Sequence, residues 1–157
     1  MDSDDTIRSR LQSTIASLRY WVPSIADAAR VDETERSGFW QISVTPKIAG
    51  ACPFELILKT DRSSGRFDCV IGGEVYEDRD LASPDEFLPL VEAIADGRVI
   101  QRRWLSTATG VLCGVETIVT LGNGRTWQQL RETAPAAADV GGDAVEHRDR
   151  HFLPYRR

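Results

Sequence analysis

The two histidines of the chain, His147 and His151, stand four residues apart in the closing stretch AVEHRDRHFLPYRR. On a helix that spacing would set both imidazoles on one face, where they could share a zinc ion. The zinc-protease pattern H-E-x-x-H needs a glutamate directly after the first histidine, and that position is Arg148. The triplet His147–Arg148–Asp149 also matches the opening of the kinase catalytic loop, which needs an asparagine five residues past its aspartate. That position is Pro154, and a chain of 157 residues is too short for a kinase. Neither chemistry finds its residues.

The other reactive groups fare no better. Glu74, Glu77, Asp78, Asp80, Asp85 and Glu86 are offset only by Arg79. A calcium loop would add ligands at set positions, a turn glycine and a distal glutamate, and none follows. A solvated acidic loop is the expectation. Gly122 and Gly124 open like a dinucleotide loop, but the third glycine would be residue 127, which is Trp127. Cys52, Cys69 and Cys113 are odd in number and lie in apolar segments, as suits buried, inert thiols in a reducing compartment. There is no G-x-S-x-G elbow and no C-x-x-C pair. No catalytic residue, metal or cofactor is implied.

Binding chemistry is better represented. Tryptophan and arginine dominate binding hot spots, which singles out Trp104 beside Arg102 and Arg103. The same reasoning picks Phe152, Leu153, Tyr155 and Arg156, an aromatic and cationic peptide stiffened by Pro154. Trp40, Tyr76 and Glu116 are candidates to line a pocket between sheet and helices.

These side chains need elements to hold them. Ile7, Leu11, Ile15, Leu18 and Val22 recur at helical steps, and Pro23 ends the helix. SIADAAR suggests a short second helix, and DETERSG a polar loop. Alternation then predicts strands at Trp40–Val44, Phe54–Leu58 and Phe67–Ile71, with Gly72–Gly73 marking a bulge or a close backbone approach. Ser83, Pro84 and Glu86 begin a helix that Asp96–Gly97 closes. Pro89 predicts a kink, or a true helix start nearer residue 88. RVIQRRWLS and VLCGVETIVTL read as two more strands. Thr126, Gln129, Trp127, Leu130 and Ala134 favour a short helix over 127–134, with a sixth strand as the alternative.

The expected fold is α+β: an antiparallel sheet of about five strands packed with two to three helices, in the order α-βββ-α-ββ-α. Residues 1–134 form the domain. Residues 135–157 form a linker, PAAADVGGDA, and a flexible C-terminal tail whose removal should leave stability unchanged.

The composition, 41% hydrophobic and 27% charged, is that of a folded globular chain. A net charge of −5 argues against nucleic-acid or anionic-membrane binding. The acidic N-terminus lacks a signal-peptide core and no stretch is long enough to span a bilayer, so a cytoplasmic location is expected. Over residues 5–134 the order of elements resembles that of bacterial secretion chaperones, with no signature motif. That resemblance implies a non-enzymatic, dimerising protein that binds extended partner segments. The reading is thus a chaperone- or adaptor-like binder of another protein or of itself, with a small-molecule-binding or enzymatic domain as the alternative.

Overall fold

The computed structural model describes residues 4–60, 66–80, 83–133 and 144–156. The α+β class with antiparallel sheets stands, but sheet predominates and the order differs from expectation. Helix α1 (Asp4–Trp21) leads through a 3₁₀ turn (Val22–Ile25) into five strands: β1 (Ala29–Arg36), β2 (Phe39–Pro46), β3 (Phe54–Lys59), β4 (Phe67–Ile71) and β5 (Glu74–Arg79). Helix α2 (Phe87–Ala95) precedes β6 (Val99–Ser106), β7 (Leu112–Thr120), β8 (Thr126–Glu132) and β9 (Val145–His151). The first five strands form a sheet in sequence order, and the rest form a second sheet in the order β8-β7-β6-β9. The element order of the secretion chaperones is therefore not the order found.

Four strands depart from the sequence reading, each for a local reason. DETERSG falls largely in β1, where Arg19 of α1 bonds both Glu33 (2.5 Å) and Glu35 (3.0 Å) on the inward face. Those paired charges hide the alternation. The stretch expected as an acidic loop contains β5, in which Tyr76 is the one buried side chain. Gly72 and Gly73, with φ of 57° and 87°, supply the two-residue turn that brings β5 back on β4. Residues 126–132 are a strand rather than a helix. The turn before them is closed by Leu121 N–H donating to Arg125 O (2.7 Å), and Trp127 then pairs with Val119 of β7. The weak capping-box signal lost to that pairing. Finally, the C-terminal segment is not a flexible tail: β9 pairs with β6 along its whole length. The expected linker, PAAADVGGDA from Pro135, lies outside the described residues except for its last residue, Ala144.

The helices follow sequence rules more closely. Leu11, Ile15 and Leu18 of α1 are buried as their spacing predicts. SIADAAR yields only the 3₁₀ turn before β1 begins. Ser83 caps the next element, accepting from Asp85 N–H (3.2 Å). Because α2 starts at Phe87, Pro89 lies in its first turn, where a missing N–H breaks no helical hydrogen bond.

Both helices and the inward faces of the two sheets share one core. Polar contacts stitch the sheets together: Tyr76 and Thr117 hydroxyls lie 2.5 Å apart, and Gln101 Nε2 donates to Ile71 O (2.7 Å). Buried polar groups must be paired in this way to avoid a desolvation cost of roughly 1–3 kcal/mol each. The C-terminal segment then crosses this core. Leu153 N–H donates to Gly50 O (2.9 Å) and Tyr155 N–H to Ala95 O (2.8 Å), while the buried Tyr155 hydroxyl donates to Cys52 O (2.6 Å). Burial pushes the Tyr155 hydroxyl well above its ordinary pKa. The Cys52 and Cys69 thiols are pushed up to about 12, also by burial, which leaves them protonated and inert. Cys113 is only half-buried. Among the described residues no helix is long and apolar enough to cross a membrane.

Candidate functional site

Strand period decides what the second sheet presents on each face. In β6, Val99 and Gln101 face the core, so Ile100, Arg102 and Trp104 face out. The register adds Glu116 and Ile118 from β7, Gln128 and Leu130 from β8, and His147, Asp149 and His151 from β9. None of Ile100, Arg102, Trp104, Glu116, Ile118 and Leu130 belongs to the core cluster, and Leu130 is 45% exposed. This outward face is the candidate site.

At its centre Arg102 makes a two-pronged contact with Asp149, Nε to Oδ1 at 2.9 Å and Nη2 to Oδ2 at 3.0 Å. The fork fixes the guanidinium plane, and its carbon lies 5.9 Å from the centre of the Trp104 ring. His147 meets Trp104 edge-on at 5.0 Å between ring centres, and its Nδ1 lies 3.1 Å from Asp149 Oδ1. The result is an indole braced by an imidazole and a guanidinium, both tied to one carboxylate. Such a pre-set arrangement offers an aromatic surface and a fixed cation to an incoming group, at little entropic cost.

The hydrogen bond from Arg102 holds the Asp149 carboxyl at about 2, against the opposing effect of desolvation and with His147 assisting. The same bond raises the guanidinium of Arg102. A depressed carboxylate stabilises the fold fully above its unfolded value near about 4. That contribution is lost as the pH falls through about 4 toward 2. In a carboxyl NMR titration, Asp149 should therefore show its midpoint near 2. In an Arg102→Ala variant the midpoint should rise toward about 4. An ordinary midpoint in the unaltered protein would mean the ion pair does not hold in water.

The structure unites some sequence-predicted residues and separates others. Arg102, Trp104 and Glu116 share the outward face, whereas Arg103 points to the opposite one. Trp40 and Tyr76 are fully buried, on the inward face of the first sheet, and do not meet Glu116. Trp40 Nε1 donates to Glu33 (2.7 Å) and serves the core. Phe152 and Tyr155 are core residues, while Leu153 is 37% exposed and Arg156 bonds Asp27 and Ser24 O. His147 and Asp149 enter the site only through the pairing of β9 with β6; no local signal in EHRDRH marks that pairing. The two histidines lie on one face of a strand, four residues apart. At about 3.3 Å per residue they stand roughly 13 Å from each other, too far to share a metal ion. No family model, curated protein or solved structure matches the chain, which leaves this geometry as the ground for a functional reading.

Proposed function

We propose that the chain is a non-enzymatic, adaptor-like protein that binds another protein through the outward face of its four-stranded sheet. The observation that carries this reading is the braced Trp104–Arg102–His147 group on a face outside the core, with Leu130 exposed beside it. Trp104 and Arg102 are half-buried, and tryptophan and arginine side chains held in place in this way are frequent anchors of protein interfaces. Truncating an anchor of this kind typically costs 2 kcal/mol or more of binding, a loss of about thirtyfold in affinity.

A tagged protein should retain one partner in stoichiometric amount, and Trp104→Ala should release it while keeping the wild-type circular dichroism. Because Trp104 also braces β9, Leu130→Asp provides a second variant at a side chain that is 45% exposed and outside the core cluster. Retention by both variants, each folded, would refute the proposed face.

One observation favours a second reading, a small-molecule site. A cavity of about 330 Å³ lies between the end of α1, the end of α2 and the C-terminal segment, lined by Trp21, Glu92, Asp96, Pro154, Tyr155 and Arg156. A metabolite that raised the melting temperature, with no retained partner, would favour that cavity over the sheet face.

A further inference from the structure

Among the described residues, nothing pairs with the outer edge of β9 in the second sheet, and that edge carries a pattern that the sheet's face does not use. Strand β9 is the last in the order β8-β7-β6-β9, and all seven of its residues are exposed. An open strand edge is a template for pairing with another strand. The hydrogen bonds define which groups are available. Phe152 N–H donates to Val99 O (3.3 Å) and Thr107 N–H to Ala144 O (3.0 Å). In an antiparallel ladder these pairs recur every second residue, so the even-numbered residues of β9 bond β6. The N–H and C=O groups of Val145, His147, Asp149 and His151 point to the open edge.

The side chains are self-complementary about the strand's midpoint, Arg148. In an antiparallel pairing of β9 with a second β9, Val145 would oppose His151, Glu146 would oppose Arg150, and His147 would oppose Asp149. Each relation occurs twice, once on each side of the two-fold axis. Opposed residues have the same parity, so inward-facing side chains meet inward-facing ones and the sheet continues without inversion. The outward-pointing odd residues would form the hydrogen-bonded pairs, as the ladder requires. Arg148 opposes its own copy, with the second chain's Glu146 on one diagonal and its Arg150 on the other, so one attracting and one repelling diagonal flank the like-charge pair.

We infer that β9 is a homodimerisation edge, at which two copies of this chain join their four-stranded sheets into one continuous antiparallel sheet through Glu146–Arg150 and His147–Asp149 cross-strand pairs. The inference concerns the strand's edge rather than the sheet's face, and holds whether or not that face binds a partner. Such a dimer would set two Trp104 groups on the same side of one sheet.

The test is sedimentation over a concentration series, with charge exchange. Wild type should dimerise, and more weakly as salt is added. Glu146→Arg and Arg150→Glu should each weaken the dimer by about tenfold, since two attracting pairs become repelling ones. The double variant Glu146→Arg/Arg150→Glu should recover most of the lost affinity. Arg150 also stacks on Phe152 at 4.5 Å, so a variant there risks disturbing the fold, and wild-type amide exchange supplies an independent reading. Amides of His147, Asp149 and His151 should gain protection as concentration rises, while those of Arg148 and Arg150 stay protected throughout. A wild type that remains monomeric, a double variant no better than the singles, or odd-residue amides indifferent to concentration would each overturn the inference.

Discussion

Replacing Tyr155 with alanine is expected to destabilise the protein by about 3–5 kcal/mol, the usual cost of emptying an aromatic site in a core. Tyr155 is 2% exposed and packs in the same cluster as both helices and both sheets. For a chain of this length the loss corresponds to a fall in melting temperature of roughly 10 °C. Tyr155→Phe keeps the ring but leaves Cys52 O without its donor. It should cost about 1 kcal/mol, separating the hydrogen bond from the packing. Removal of residues 143–157 should be worse than either, because it also strips Phe152 from the core and β9 from β6. Thermal denaturation followed by circular dichroism checks all three. A melting temperature unchanged by Tyr155→Ala would mean that the segment does not dock.

The second large effect is expected at Gly97, which ends α2 with φ of +78°. A Cβ there would lie 2.6 Å from Pro154 N, 2.9 Å from Leu153 C and 3.0 Å from Phe152 O. These are backbone atoms of the C-terminal segment and cannot swing aside as a long side chain can. Gly97→Ala therefore combines the left-handed backbone penalty of about 1–2 kcal/mol with displacement of the segment, for a total of about 3 kcal/mol or more. Once Tyr155→Ala has loosened the segment, the alanine should cost less. Measured by denaturant unfolding, the two substitutions should be non-additive by about 1 kcal/mol or more. Strict additivity would show that Gly97 matters only for its own backbone angle.

The strands legible in the sequence are the five central ones. Strands β2, β3, β4, β6 and β7 each have neighbours on both sides. Their core-facing residues, such as Ile42, Leu56, Cys69 and Val119, are apolar and fall at every second position. Strands β1, β5 and β9, which escape the sequence reading, and β8, which it gives only as the alternative to a helix, are the four edges. An edge strand buries little, and charged side chains there discourage stray pairing, so its alternation is weak or absent. In β9 no side chain is buried. Its placement rests on backbone pairing with β6 and on Phe152 and Tyr155, which anchor the chain just beyond it. FLPYRR was legible as an anchoring peptide; that it anchors to its own core is a tertiary fact.

The candidate site divides along the same line. Trp104 and Arg102 stand out by residue type, and the strand period of β6 sets them on one face. Their bracing by His147 and Asp149 depends on a register between residues more than forty positions apart, which no local pattern encodes. Trp40 and Tyr76 misled because an aromatic with a polar handle reads alike whether it lines a pocket or satisfies its handle in the core. Here Glu33 and Thr117 satisfy them.

The proposed function places a partner on the outward face of the four-stranded sheet. Photo-crosslinking tests it most directly, with a benzoylphenylalanine placed at Ile118 on that face or at Val75 on the outward face of the other sheet. The predicted result is one adduct from position 118, abolished by Trp104→Ala and absent from position 75. Equal adduct from both positions, or an adduct at 118 that persists in Trp104→Ala, would contradict it.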